Sequence, residues 1–169
     1  FVGHSVASMM GVLAAKKRPT QFSKLVPVGP SPRYIDDGDY RGGFSSAEID
    51  DLLTSLESNF LGWSAQMAPL IMGNDDRPEL GEELTNSFCR TDPDISAHFA
   101  KVTFRSDNRK DLSSVPVPTL VLQCSDDIIA PSAVGEYVAE SLPHGEFLQM
   151  RATGHCPNLS APQETIEAI

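Results

Sequence analysis

The sequence predicts an α/β fold in which a helical segment is inserted between two stretches of alternating strand and helix. Short apolar segments typical of buried parallel strands lie near the start and again near the end of the chain. Between them, about seventy residues follow a helical rather than a strand pattern. Such an order predicts a parallel sheet with a helical cap over one edge. We expect core residues 1–35 and 111–169 and a cap over residues 36–110 of one domain.

Composition narrows the function classes. The 169 residues are enough for one domain with its own core. Twenty-three acidic against thirteen basic residues give a net charge of -10, which argues against nucleic acid and anionic membrane surfaces as partners. No apolar run approaches the ~20 residues that span a bilayer. The three cysteines show no metal-ligand spacing and favour a reducing, cytoplasmic setting.

The ends of the chain indicate a fragment. Phe1 is not an initiator methionine, and the segment from Phe1 to Ser5 reads as the end of a strand entering a turn. The last residues, Pro162 to Ile169, read as a helix. We therefore expect one domain that is incomplete at its N-terminus and also at its C-terminus.

The first elements follow from local pattern. Val6 to Lys17 is rich in small and apolar residues and reads as a buried helix that ends before Pro19. Lys24 to Gly29 reads as a short buried strand, although Pro27 lacks the N–H that an interior strand donates. Residues 31–43 are a loop rich in proline, glycine and aspartate.

Four helices are predicted in the inserted segment, and the first two have mixed signals. Ser45 and Glu48 have capping-box spacing, and apolar residues follow at helical intervals: Ile49, Leu52, Leu53, Leu56 and Phe60. The second helix is predicted over Trp63 to Met72, with Pro69 arguing against its continuity.

The third and fourth predicted helices have readable starts. Asp76 and Glu79 are candidate caps of the third, whose apolar residues recur every four positions: Leu80, Leu84 and Phe88. Asp92 followed by Pro93 predicts the start of the fourth. Its apolar stripe is Ile95, Phe99 and Val102, and Phe104 lies off that stripe.

The end of the chain returns to strand and helix. Pro118 to Cys124 is the strongest strand pattern of the sequence. A helix from about Pro131 to Leu142 and a strand from Glu146 to Met150 follow. Two further loops therefore come after strands that we expect to lie in the same sheet.

Gly3-His4-Ser5-Val6-Ala7 lies where the first strand meets the first helix. A nucleophilic serine needs such a sharp turn, with small residues two before and two after it, because the turn crowds those positions. Gly3 meets that requirement, whereas Ala7 departs from the usual glycine. The N–H of Val6 is a candidate oxyanion donor at the helix start. Equally, Ser5 is compatible with a simple helix cap.

The later loops carry a candidate acid and base in the order serine, acid, histidine. Asp126 and Asp127 follow one strand, and His155 follows the next. Spacing alone does not choose between the two aspartates, and each of these residues also fits an ordinary loop or capping role. We interpret His4 and His98 as structural because neither has a partner at metal-ligand spacing. Cys156 precedes no helix and is interpreted as packing.

Several segments together resemble the RsbQ-like α/β hydrolases, bacterial stress-response proteins related to the plant karrikin and strigolactone receptors. These segments are Phe1-Val-Gly-His-Ser-Val, Phe22-Ser-Lys-Leu-Val, Gly29-Pro-Ser-Pro-Arg, Gly42-Gly-Phe, Asp92-Pro-Asp-Ile, Leu122-Gln-Cys-Ser-Asp-Asp-Ile-Ile-Ala-Pro and Gly154-His-Cys-Pro-Asn-Leu-Ser. The resemblance implies a cap of four helices, and it implies that Ser5, Asp127 and His155 form the catalytic triad. It requires no metal and no organic cofactor.

The resemblance also implies a pocket for a small apolar ligand between triad and cap. By position its wall includes Val6, Phe44, Leu52, Trp63, Met67, Phe104 and Ile128. Met67 stands where the plant receptors often have phenylalanine, which alters the expected pocket shape.

Two functions remain open from the sequence. One is hydrolysis of a small apolar ester or lactone through an acyl-enzyme. The other is a ligand-binding signalling module that activates a partner phosphatase, upstream of a stress sigma factor, with little or no turnover.

Overall fold

All residues, 1–169, are described in a computed structural model. Four strands form one sheet: β1 (Val2–His4), β2 (Val26–Val28), β3 (Thr119–Gln123) and β4 (Gly145–Gln149). They lie in the order β1-β2-β3-β4, and every neighbouring pair is parallel. The predicted fold class is confirmed, and the carboxyl ends of all four strands meet at one edge.

Nine α-helices surround or extend this sheet. They are α1 (Val6–Lys17), α2 (Ser46–Ser58), α3 (Phe60–Met72), α4 (Pro78–Cys89), α5 (Pro93–Phe104), α6 (Arg109–Leu112), α7 (Ser132–Ser141), α8 (Pro157–Ser160) and α9 (Pro162–Ala168). Helices α2 to α5 all lie between β2 and β3, where four helices were predicted. The short helices α6 and α8 were not predicted. No helix is long and apolar enough to cross a membrane.

Pro27 limits the second strand without excluding it from the sheet. Val26 N–H bonds the Phe1 carbonyl, while Leu25 and Gly29 donate towards β3, to Pro118 and Leu122. In a parallel strand alternate residues face alternate neighbours, so residue 27 faces β3 and has no N–H to give it. The strand is therefore shorter than the predicted Lys24 to Gly29.

The predicted caps of α2 and α5 are present. Glu48 N donates to Ser45 Oγ at 3.2 Å, and Ser45 N donates to the Glu48 carboxylate at 2.7 Å, which completes a capping box. Asp92 Oδ1 accepts from the N–H groups of Asp94 and Ile95. The capping residues thus predicted both helix starts correctly.

Two other helix starts were predicted wrongly. α3 begins at Phe60, capped by Asn59, and continues through Pro69 to Met72. Burial of the helix's apolar face, at Ala68 and Met72, compensates for the hydrogen bond that the proline cannot make. α4 begins at Pro78, so Asp76 does not cap it.

The apolar stripe of α5 faces outwards, contrary to the expectation that it packs in the core. Ile95, Phe99 and Val102 are 70%, 50% and 59% exposed. Ala100 is buried instead, and Phe104 packs against the helical cluster. Alanine is small and only weakly hydrophobic, so the larger residues Ile95, Phe99 and Val102 defined the predicted buried face, although the face with Ala100 is the buried one.

Three apolar clusters make up the core. One lies between the sheet and helices α1, α6 and α7, and includes Val12, Leu112, Val121 and Val138. A second contains Val28 of β2, Leu122 of β3 and Met150, the residue directly after β4. The third joins helices α2 to α5 to the loops at the carboxyl edge of the sheet, through Tyr34, Ile129 and Cys156. Helices α2 to α5 thus pack onto that edge.

Candidate active site

Ser5 stands on a strained turn between β1 and α1. Its backbone angles are φ 54 and ψ -121, and it is one of two non-glycine residues with positive φ. Its N–H donates to the Val28 carbonyl at 2.8 Å, which fixes the turn to the neighbouring strand. A Cβ at Gly3 would lie 2.8 Å from the Ala7 backbone, so glycine is required there. This strained strand-to-helix geometry is that of a nucleophile elbow.

Asp127 lies buried in the loop after β3 and accepts four hydrogen bonds. Its Oδ1 accepts from the N–H groups of Ile129 at 2.8 Å and Ala130 at 3.1 Å. Its Oδ2 accepts from His155 Nδ1 at 2.7 Å and from Gln123 Nε2 at 3.2 Å. A carboxylate with both oxygens bonded this way has one fixed orientation.

His155 connects this acid to the serine. Its Nε2 lies 2.7 Å from Ser5 Oγ, and its Nδ1 lies 2.7 Å from Asp127 Oδ2. Because Asp127 accepts a hydrogen at Nδ1, Nε2 is left free to accept the serine proton. The structure therefore brings together Ser5, Asp127 and His155, whereas Asp126 is exposed and makes no side-chain hydrogen bond. This is the geometry of a serine-hydrolase triad.

Val6 is the first residue of α1, so its N–H has no acceptor within the helix. It directly follows Ser5, where an oxyanion donor stands in folds with a nucleophile elbow. A developing negative charge beside Ser5 would meet this N–H at the positive end of the helix.

Burial makes the neighbouring thiols poor nucleophiles. It raises the pKa of Cys156 to about 11 and the pKa of Cys124 to about 12. Both side chains are buried and free of disulfides. They therefore remain protonated near neutral pH, and Cys156 packs among apolar residues of the third cluster.

A match to a protein-family model shows which family this protein belongs to. The model described as the alpha/beta hydrolase family matches residues 1–168. The chain belongs to this family. Ser5, His155 and Asp127 all lie inside the matched region.

Curated relatives and a solved structure add detail about this alpha/beta hydrolase. It is 38% identical over 170 residues to the karrikin insensitive 2 receptor CA of Petunia hybrida, covering 100% of this chain and 63% of that protein. It is 39% identical over 170 residues to the strigolactone esterase D14 of Arabidopsis thaliana, with the same coverages. A hydrolase of Oleispira antarctica has the same fold, with TM-score 0.91 and 36% identity over 95% of this chain and 59% of that one. The chain thus spans less than two thirds of these proteins.

The predicted pocket residues of this alpha/beta hydrolase lie on three helices, α2, α3 and α5, and on two loops. Those half-buried against the third apolar cluster are Phe44, Leu52, Trp63, Met67 and Phe104. Trp63 stacks on Phe88 of α4, with ring centroids 6.0 Å apart. Ile128 is 48% exposed beside the acid. Helices α2, α3 and α5 thus present apolar side chains around the same cluster that includes Cys156, the neighbour of His155.

Three residues around the triad were missed or undervalued in the sequence. Gln123, fully buried on β3, donates to Asp127 and to the Ala130 carbonyl at 2.6 Å. An amide in an otherwise apolar strand was the available signal. His4 donates from Nε2 to the His155 carbonyl at 2.6 Å, and burial, followed by the nearby His155, lowers the pKa of His4.

Tyr34 had no sequence signal. It is 2% exposed, its ring meets Phe104 edge-on at 5.0 Å, and burial raises its pKa to about 12, opposed by the nearby Ser5 side chain. The phenol therefore stays protonated and polar beside the serine.

Two surface grooves lie elsewhere. One, of about 530 Å³, lies between α3 and α4, and another, of about 350 Å³, lies among α2, α3 and α5. Neither groove is lined by a triad residue. No group of three or more His, Cys, Asp or Glu side chains is arranged to hold a metal.

Proposed function

We propose that the whole protein is a serine hydrolase of small apolar esters or lactones, acting through an acyl-enzyme. The observation that carries the proposal is the hydrogen-bonded chain from Ser5 through His155 to Asp127, with both links at 2.7 Å. The positive φ of Ser5 supports it, because strain of this kind persists where function requires the geometry.

The chemistry follows from the protons that each group can hold. His155 Nε2 accepts the Ser5 proton as Ser5 Oγ attacks the ester carbonyl carbon, and the oxyanion accepts from Val6 N–H. The intermediate collapses, and His155 returns the proton to the leaving alcohol. A water then gives its proton to His155 and attacks the acyl-enzyme, which releases the acid and restores Ser5. Asp127 holds the ring and stabilises its positive charge throughout.

The substrate class rests on the apolar surroundings of the site. We propose that residues 36–110 act as a cap on a core of residues 1–35 and 111–169, and that the ligand lies between them. The wall would comprise the side chains Phe44, Leu52, Trp63, Met67, Phe104 and Ile128. Such a wall favours a small apolar acyl or lactone group, because it offers buried area and few polar partners.

A second candidate is an RsbQ-like signalling module that binds a ligand and activates a phosphatase in a stress response governed by a sigma factor. The relatives support this candidate as well as the first, since one is named a receptor and another an esterase. Three free cysteines support a cytoplasmic location. A triad does not separate the two candidates, because both require the same site.

The first test compares Ser5→Ala with Ser125→Ala in the whole protein. Ser125 lies in the acid loop, and its hydroxyl contacts only the backbone carbonyls of residues 151 and 152. Hydrolysis of a short-chain aryl ester and labelling by a fluorophosphonate should both disappear in Ser5→Ala and persist in Ser125→Ala. Labelling that survives in Ser5→Ala would refute the assignment of the nucleophile.

A second test separates the two candidates. Metabolic enzymes typically turn over at about 10 per second, so a far slower rate on every small ester and lactone tried favours signalling. The Ser5→Ala variant is then added to the partner phosphatase with the ligand. Activation that needs no hydrolysis persists in this variant, whereas activation driven by hydrolysis is lost.

A further inference from the structure

The peptide group of His155 is bonded to the inserted helices and not only to the sheet. Its N–H donates to the Ile71 carbonyl at 2.8 Å. Ile71 lies in the last turn of α3, where carbonyl groups have no donor within the helix. The base of the triad therefore completes the hydrogen bonding of a helix from the region between β2 and β3.

Asn74 bridges the same two segments with its side chain. Its Nδ2 donates to the Met72 carbonyl at 3.0 Å and to the Thr153 carbonyl at 3.1 Å. Thr153 lies two residues before His155. Asn74 has φ 61, a conformation that costs a non-glycine residue free energy unless its contacts maintain it.

Arg77 extends the bridge to the other side of His155. Its Nη2 donates to Asn74 Oδ1 at 2.5 Å, and its Nη1 donates to the Ser160 carbonyl at 2.7 Å, at the end of α8. Gly154, with φ 76, lies so close to α3 that a Cβ there would fall 1.9 Å from the Met72 carbonyl oxygen. Both flanks of His155 are thus tied to the segment that follows α3.

We propose that Asn74 and Arg77 are positioning residues for His155. They join the C-terminal end of α3 to both flanks of the base, so that His155 keeps its place only while α3 keeps its own. This proposal rests on the proposed hydrolase function. It makes the position of the catalytic base depend on the position of α3. Trp63 and Met67 of the proposed pocket lie on the same helix, so a ligand that displaces α3 also displaces the His155 peptide.

The test uses Asn74→Gly and Arg77→Met in the whole protein, with Asn59→Gly as the matched control. Glycine accepts the positive φ at position 74 without strain, so the interaction lost from the folded protein is the side-chain bridge, although glycine also adds backbone freedom to the unfolded chain. Asn59 caps the opposite end of α3, where its side chain accepts from Gly62 N at 3.0 Å, far from the His155 loop. The measurements are kcat per titrated active site, KM, and amide exchange of residues 150–157.

We expect kcat to fall about tenfold or more in each bridge variant, because small displacements of a catalytic group are costly. KM should stay within about twofold, and exchange in residues 150–157 should accelerate. The double variant should lose little more than either single variant, since the two side chains act as one unit. Asn59→Gly should lower the melting temperature slightly, because glycine is a tolerated N-cap residue, and it should not change kcat beyond about twofold.

Wild-type kcat and exchange in Asn74→Gly would overturn the proposal. An equal loss of kcat in Asn59→Gly would also overturn it, because general loosening of α3 would then be the cause. If the wild-type protein hydrolyses no ester, the proposed function fails, and exchange alone tests the bridge. Faster exchange near His155 in Asn74→Gly would still support it, and unchanged exchange would refute it.

Discussion

Replacing Asp127 with asparagine tests the triad more sharply than deleting it, because the shape is kept and only the hydrogen-bonding pattern changes. Two backbone N–H groups, from Ile129 and Ala130, point at Oδ1. An asparagine satisfies them only by placing its single oxygen there. Its NH2 group then occupies the position of Oδ2 and faces His155 Nδ1. His155 must accept at Nδ1 and carry its proton on Nε2, where it cannot take the proton of Ser5.

The magnitude follows from the cost of the opposite orientation. Turning the amide so that its oxygen faces His155 leaves two buried backbone N–H groups without an acceptor, at about 1–3 kcal/mol each. The opposite orientation alone keeps the Gln123 hydrogen bond at the position of Oδ2, worth about 1 kcal/mol, so the unproductive tautomer is favoured by about 1–5 kcal/mol, which corresponds to a loss of roughly 5-fold to 5,000-fold in rate. Serine proteases lose about 10⁴ in kcat from the same change. Asp127→Asn should fall within this range.

Asp126→Asn is the control, one residue away. The Asp126 side chain is exposed and unbonded, and the residue contributes to the site through its backbone carbonyl, which accepts from Gly154 N at 2.6 Å. We expect its kcat/KM to stay within about twofold of wild type. The assay is aryl-ester hydrolysis with active-site titration of folded protein. Equal losses in both variants, or the larger loss in Asp126→Asn, would show that Asp127 is not the acid.

Three further changes have expected outcomes. Gln123→Met removes a buried donor from the acid, and we expect urea unfolding to show a loss of about 1–3 kcal/mol in the free energy of unfolding together with a lower kcat/KM. Thr119→Val, at the other end of the strand, also loses a buried hydrogen bond and some stability, but its kcat/KM should not change. Burial lowers the pKa of His4 in the folded protein below its usual 6.5, so the unfolded chain binds more protons than the folded one. The free energy of unfolding should therefore decline as pH falls below about 6.5. In His4→Asn that decline should be smaller. The raised pKa of Cys156, about 11, leaves about one thiolate in a thousand at pH 8, so Cys156→Ala should remain active and iodoacetamide should not inactivate the protein through this residue.

Chemistry that depends on neighbours in sequence was predictable. The capping box at Ser45 and the N-cap at Asp92 are local arrangements of a few residues, and both formed. The elbow at Ser5 and the loops of Asp127 and His155 each follow a strand. Because parallel strands end at one edge of the sheet, their order in sequence was enough to bring them together. Spacing did not choose Asp127 over Asp126, because that choice depends on which side chain turns inwards.

Contacts between distant segments were not predictable from pattern. The outward face of α5 shows this, since Ile95, Phe99 and Val102 form a good stripe that no other element covers. Gln123 and Asn74 are the opposite case, since they make contacts between distant segments that no sequence pattern predicted. Each is an unremarkable amide in sequence, and each gains its role from a loop that only the folded chain brings near. A single sequence records that such residues are polar, but not what they will face.

The bonding of His155 limits how catalysis and signalling could coexist in one protein. All four of its polar groups are bonded: the backbone N–H to Ile71, the backbone carbonyl to His4, and the two ring nitrogens to Asp127 and Ser5. A base held in this way is preorganised, which favours turnover. A signalling state in which α3 moves must either break the Ile71 bond or carry His155 away from Ser5. Such a state would hold its ligand or acyl group without clearing it, so slow turnover would be a consequence of signalling and not a defect of the triad.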